Sequence, residues 1–361
     1  MEQEWKMTIN QLPSPTWNWL CMNESSLEHI KTENWGMSME TEIPWGIQCD
    51  WLQSAAEEQG GVLGGMGRDM DGLAAAGGRI LRITAKEGHV EEQPVLLHAV
   101  CRDGANGIQK VEIHAEENSC VTVIMDAVSG QQDSGMAAIQ TQLFVGKKAS
   151  IRLVQLQMLG EGFLHLCDVG AVCQEGGRAR VLQLQLGGSR VYSGLLAQLD
   201  GTDSCMEAKV GYLGRKKQRL DMNHVAKHMG ARSQSRILAS GVLRDQAWKL
   251  FRGTIDFAPG ASDSEGEERE EVLLLGEEIV NQTIPLILCG EENVRGSHGA
   301  SIGRLDEEML FYLESRGIGA AQAEDMMVRA RLDALCGEIP REESRNLVQN
   351  YVKGVISHGK E

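Results

Sequence analysis

Ala149-Ser150-Ile151-Arg152-Leu153-Val154-Gln155-Leu156-Gln157-Met158 and, a little further on, Arg180-Val181-Leu182-Gln183-Leu184-Gln185-Leu186 alternate apolar with polar residues. Period-two alternation marks half-buried strands, because successive side chains leave a strand on opposite faces. Val111-Glu112-Ile113-His114-Ala115 and Val121-Thr122-Val123-Ile124-Met125 repeat the texture. Glycine or charged clusters such as Asp103-Gly104-Ala105-Asn106-Gly107 and Gln174-Glu175-Gly176-Gly177 read as the turns between them. These runs continue from residue 93 to residue 302 with no convincing helix between them. Sandwich, barrel and β-helix all suit such a pattern. A sandwich closes within about a hundred residues, so stacked solenoid coils explain the length better. No strict hexapeptide register is visible.

Two flanking regions differ in texture. Residues 1–92 read as a mixed cap, with six of the seven tryptophans lying before residue 86. Leu12-Pro13-Ser14-Pro15-Thr16-Trp17 is extended and proline-stiffened. Residues 54–60 and 70–76 are expected as short helices around the glycine-rich stretch 60–67. Residues 93–304 form the strand core, interrupted at 262–271 by SDSEGEEREE, which reads as a solvated loop because like charges repel. Residues 305–361 become helical. Asp306 is placed to cap a helix carrying Met309, Leu310 and Leu313, with Gly317 as its stop. A second helix over 321–335 puts Ala323, Met326, Met327 and Ala330 on one face, and Pro340 opens a third with Leu347, Val348, Tyr351 and Val355 as its stripe. These helices need a surface, either their own β-domain or a partner.

A formal net charge of −16 argues against a general nucleic-acid binder or a binder of anionic membranes. No apolar run is long enough to span a bilayer, and the N-terminus lacks a secretory leader, so cytoplasm is the expected compartment. The nine cysteines are scattered without zinc or ferredoxin spacing, which suggests inert, mostly buried thiols. His224 and His228 share one strand face but lack the glutamate a zincin requires, so a structural role leads. Nucleophile-elbow and P-loop motifs are missing, and Gly60-Gly61-Val62-Leu63-Gly64-Gly65 has no strand–helix unit around it. A β-helix polysaccharide lyase or hydrolase remains the enzyme alternative.

Asn293-Val294-Arg295-Gly296-Ser297-His298-Gly299-Ala300-Ser301-Ile302-Gly303 runs into Leu305-Asp306-Glu307-Glu308-Met309-Leu310-Phe311-Tyr312-Leu313-Glu314-Ser315-Arg316-Gly317-Ile318. This resembles the signature of the SufB/SufD family of iron–sulfur cluster assembly scaffolds, a Ser-His-Gly-Ala-Thr element followed by Leu-Asp-Glu-Glu and Phe-Tyr-Leu-x-Ser-Arg-Gly-Ile. His228-Met229-Gly230-Ala231-Arg232-Ser233-Gln234-Ser235 and Phe251-Arg252-Gly253-Thr254-Ile255 resemble the family's His-led turn and Phe-Arg-Gly strand, in the same order. SufB-type chains carry a glutamate after the histidine and a cysteine on the preceding Leu-Leu-Leu strand. Here Gly299 follows His298, and residues 270–275 hold no cysteine, which points to the SufD type.

The resemblance implies a mostly β chain, a right-handed parallel β-helix core with helical N-terminal and C-terminal regions. It implies a scaffold that is not an enzyme, paired with a SufB-type paralogue through the β-helix ends and bound to a SufC-type ABC ATPase through the C-terminal helices. It also allows a homodimer when the partner is missing. No cofactor is expected to stay bound; a nascent iron–sulfur cluster would pass through the SufB–SufD interface. His298 is the residue expected there, since neutral imidazole suits iron; its plain alternative is a turn histidine at the strand-to-helix junction. Cys289, nine residues earlier, is the alternative second ligand, but a lone strand cysteine is more in keeping with a small core hydrophobe. Asp306, Phe311, Tyr312, Arg316, Met326 and Met327 are the candidate partner-docking residues.

Overall fold

The computed structural model describes residues 5–53, 62–304 and 307–357. Strand makes up 56% of the chain, as the alternation predicts, and builds a parallel β-solenoid of about eight turns, as the resemblance implies. Two stacks of strands face each other. One contains β6 (Val95–Ala115), β8 (Ser134–Val145), β10 (Gly162–Cys173), β12 (Arg190–Leu199), β14 (Arg219–His228), β16 (Trp248–Phe257) and β18 (Val280–Cys289). The other contains β7 (Cys120–Val128), β9 (Ser150–Met158), β11 (Arg178–Gln185), β13 (Cys205–Gly214), β15 (Gln234–Arg244), β17 (Ser264–Leu275) and β19 (Val294–Arg304). β6 bends through the corner between the stacks, so residues 103–107, expected as a turn between strands, lie inside one long strand.

The absence of a hexapeptide register has a structural cause. One rung advances 26 residues from Leu164 to Arg190 but 32 from Trp248 to Val280. What repeats is the corner. Asn118, Lys148, Gly176, Asp203, Arg232 and Asp263 all have positive φ, one per rung. The amide of each donates to a carbonyl of the next rung, as from Asn118 to Lys147 and from Asp263 to Asn293. Left-handed backbone favours glycine, asparagine and aspartate, which fill four of these six corners, while Lys148 and Arg232 fill the other two, so what repeats is a conformation rather than one residue. Inward-facing positions stack in columns of small aliphatics, such as Leu143, Ala171, Ala197, Ala226 and Ile255.

The N-terminal region corrects one expectation: it is built mainly of strands rather than helices. β1 (Trp5–Ile9) and β2 (Ser25–Ile30) form a hairpin-like pair, and β3 (Trp35–Glu42), β4 (Ile47–Gln53) and β5 (Arg79–Ala85) join the main sheet. α1 (Arg68–Ala76) is the one α-helix described there and matches the expectation for 70–76; the helix expected at 54–60 lies outside the described residues. Strands are required because the first rung has a free edge: β3 pairs antiparallel with β6, and β4 antiparallel with β5, covering it. Meanwhile β1, β2 and α1 bury Met7, Ile9, Met70 and Leu73 against the outward side chains Met136, Leu164 and Leu166.

α2 (Glu307–Ser315), α3 (Ala320–Cys336) and α4 (Glu342–Ser357) follow β19. Gly317, at φ +83°, and the bond from the Ile318 amide to the Leu313 carbonyl stop α2 as expected. Helices α3 and α4 pack on their own solenoid: Val328, Leu332, Cys336, Val348, Val352 and Ile356 join Leu156, Leu184, Leu213 and Val242 in one cluster. The α3 stripe is rotated from the expected one. Met327 packs against the solenoid and Ala323 is buried, whereas Met326 and Ala330 are exposed.

Candidate functional site: the open end of the solenoid

β18 pairs with β16 and β19 with β17, and among the described residues neither has a strand on its far side. Every residue of β19 after Val294 is exposed. The two ends of the solenoid therefore differ: antiparallel strands cover the first, and the second presents rows of unpaired backbone groups.

The alternation on β17 shows which side chains enter the lumen. Ser264, Gly266, Glu268, Glu270 and Val272 are buried, whereas Glu265 and Arg269 are exposed. This overturns the reading of residues 262–271 as a solvated loop. Like charges discourage burial in isolation, but here period-two geometry sends half of them outward, and the lumen supplies partners for Glu270. Lys249 Nζ, fully buried, reaches Glu270 Oε1 at 2.5 Å, Tyr212 donates to the same oxygen at 3.1 Å and Thr283 to Oε2 at 2.5 Å. Burial pulls the Lys249 ammonium below its ordinary value, against the attraction of Glu270. It also raises the Tyr212 hydroxyl well above its own, where the Glu270 charge adds to the effect. Glu268 differs: it is 3% exposed, and its Oε1 has no hydrogen-bond partner. Desolvation first, then the Glu270 charge, pushes its carboxyl up to about 7, with Lys249 acting in the opposite sense.

His298 is opposite Glu268 in the ladder, so its side chain belongs to the same inward-facing column, at the mouth. It is exposed and lies mid-strand rather than at a turn. Cys289 ends the neighbouring stack, above Phe257, and is also exposed; the expectation of a core hydrophobe fails because no rung covers it. Of the nine cysteines four are buried, and the two exposed ones are Cys21 and Cys289, so the thiols are less uniformly hidden than expected. Deeper in, burial pushes the Cys167 and Cys173 thiols up to about 12, which makes them poor nucleophiles. Among the described residues no three His, Cys, Asp or Glu side chains come together as a metal-holding group. The mouth therefore presents His298 and Cys289 as separate exposed side chains.

The matched motifs have plain structural roles nearby. His228 bridges Ser233 Oγ at 2.7 Å and Ser235 Oγ at 2.8 Å, closing the corner after β14. His224 lies in the lumen with neither ring nitrogen bonded, and burial holds its imidazole down near 4. Arg252, next to the lumen-facing Phe251, points outward to Asp221 and the Met22 carbonyl. The docking candidates separate. Phe311 and Tyr312 on α2 are 72% and 53% exposed, with the Arg316 guanidinium 5.2 Å from the Tyr312 ring. Met326 is exposed, Met327 is packed on the solenoid, and Asp306 lies outside the described residues.

This arrangement, a β-solenoid with one open end and appended helices, now meets the comparisons. A family model described as "SUF system FeS cluster assembly, SufBD core domain" matches residues 100–331, from β6 to the middle of α3. The chain belongs to the SufB/SufD family. The iron–sulfur cluster assembly protein SufD of Bacillus subtilis is 28% identical over 236 residues, covering 64% of this chain and 54% of that protein. SufD of Escherichia coli is 25% identical over 257 residues, covering 70% and 60% respectively. A chloroplastic SufBD family protein of Arabidopsis thaliana is 24% identical over 244 residues. This family member is thus SufD-like, and it spans little more than half the length of these two bacterial relatives. Among its described residues no helix is long and apolar enough to cross a membrane.

Sequence reasoning picked out His298 and the exposed pair on α2, but it missed Glu268, Glu270 and Lys249. The available signal was the alternation Ser264, Gly266, Glu268, Glu270, Val272, which continues into the apolar Leu-Leu-Leu run and so marks a strand despite its charge.

Proposed function

We propose that this chain is a non-catalytic scaffold subunit for iron–sulfur cluster assembly, pairing through the open end of its solenoid with a SufB-type paralogue. The observation that carries this reading is the uncovered β18–β19 rung bearing His298 in a chain of this family. Edge strands recruit further strands, and a lone imidazole needs a second protein to complete a ligand set. The nascent cluster is cargo at that junction, to which His298 would contribute a neutral nitrogen donor. A SufC-type ATPase is assigned to the outward face of α2 and α3, at Phe311, Tyr312, Arg316 and Met326. Aromatic, arginine and methionine side chains are favoured in interface cores, and the opposite face of α3 is occupied by the solenoid.

A polysaccharide enzyme would use the groove lined by Glu207, Arg236, Glu265, Glu267 and Arg295. Its charges already pair across rungs, Arg236 with Glu267 and Arg295 with Glu265, each at 3.0 Å, which leaves fewer groups for acid–base work. The deciding experiment is co-expression with a SufB-type paralogue and a SufC-type ATPase, followed by affinity capture of this chain. Both are expected to co-purify, and under anaerobic conditions His298→Ala lowers cluster absorbance while the complex survives. A chain that enters no complex with either protein refutes the reading.

A further inference from the structure

Among the described residues, His224, in a deeper rung, and Glu268, one rung below the mouth, are titratable lumen side chains that keep unbonded polar atoms. Glu268 is the one next to the candidate site. It stacks over Ile237 on the inner side and under His298 on the outer side. Its side chain crosses toward β16 because Gly253 leaves room: a Cβ there would lie 2.7 Å from Glu268 Cγ. Glu270, the neighbouring carboxylate, is saturated by Lys249, Tyr212 and Thr283, and its column ends above in Ala300, which has no side-chain donor. Strands are about 4.8 Å apart, so an imidazole in register above a glutamate reaches its carboxylate by side-chain rotation alone.

We propose that Glu268 is the positioning residue for His298: its free Oε1 accepts a ring N–H from the imidazole above, selecting the tautomer whose other nitrogen faces out of the mouth. Histidines that bind metals commonly donate their second nitrogen to a carboxylate, which fixes ring orientation and tautomer. Glu268 is already in place for this and held by burial. The inference rests on His298 serving as an outward donor, but its test uses the full-length chain alone and does not require a cluster or a partner.

The test is 15N NMR of the histidine-labelled chain at pH 8, with the His298 ring signals assigned through His298→Asn. A hydrogen bond to a carboxylate of the usual strength biases the tautomers by about tenfold or more. Glu268→Met is expected to return the ratio to that of free imidazole, and Glu268→Gln, which keeps an acceptor oxygen, to retain the bias. Gly253→Ala, which displaces the Glu268 side chain, provides a second route to the same loss should Glu268→Met fail to fold. An unchanged ratio in Glu268→Met and Gly253→Ala overturns the proposal, as does a Glu268→Gln ratio equal to that of free imidazole. Failure to capture a SufB-type partner leaves this result standing, and the converse also holds.

Discussion

Asp221→Asn tests the clamp that fastens the N-terminal strands to the solenoid. Asp221 and Arg252 are both fully buried, with Arg252 Nη1 2.5 Å from Asp221 Oδ1. The carboxylate also accepts from Asn10 Nδ2 at 2.8 Å and Ser25 Oγ at 2.5 Å, and Arg252 Nε donates to the Met22 carbonyl at 2.8 Å. The amide keeps the shape of the aspartate but leaves a guanidinium without its counter-charge, away from water. Breaking a buried pair on one side costs about 3–5 kcal/mol, because the remaining charge is stranded. That is a large share of the roughly 5–15 kcal/mol by which a domain is stable. Adding Arg252→Met removes the stranded charge while an aliphatic chain fills its stem, so the double variant should cost much less than the sum of the singles, with a coupling of about 2 kcal/mol or more. Urea unfolding of the four proteins, followed by circular dichroism, measures this. Limited proteolysis within residues 5–30 reports whether β1 and β2 detach. If Asp221→Asn costs less than about 1 kcal/mol, or if the singles simply add, the clamp is not what holds these strands.

Asp168 gives a pH signature. It is fully buried and accepts from the Met66 amide and Gln140, yet desolvation, with a smaller push from Asp71, raises its carboxyl to about 7. An unfolded aspartate releases its proton near 4, so between pH 4 and 7 the folded state holds the extra proton. Stability therefore falls as pH rises through that window and levels off above 7, by at most about 4 kcal/mol. Asp168→Asn should flatten that slope in denaturant titrations from pH 4 to 8; an unchanged slope rules the residue out as its source. Leu332→Ala, at the contact of α3 with the solenoid, is expected to cost about 2–5 kcal/mol, measured by urea unfolding. Phe311→Ala with Tyr312→Ala should weaken capture of the ATPase at least tenfold while changing stability by less than about 0.5 kcal/mol. Loss of folding in that pair would mean the exposed face of α2 is structural.

The sequence by itself determined the strand-rich core, through alternation that depends only on the two faces of a strand. It also placed the C-terminal helices closely, because caps, glycine stops and 3.6-residue stripes are local. The motifs around His228, Arg252 and His298 carried the family. What local pattern could not supply was the occupant of each face. The Met326 side of α3 reads as apolar, yet the helix turns its Val328 and Leu332 side to the solenoid. SDSEGEEREE reads as a surface loop until Lys249, Tyr212 and Thr283, distant in sequence, are stacked around Glu270. Most of all, the exposure of His298 and Cys289 follows from their rung being the last. A strand alternates in the same way whether or not another lies above it, so only the stacked structure decides which end of the lumen is open.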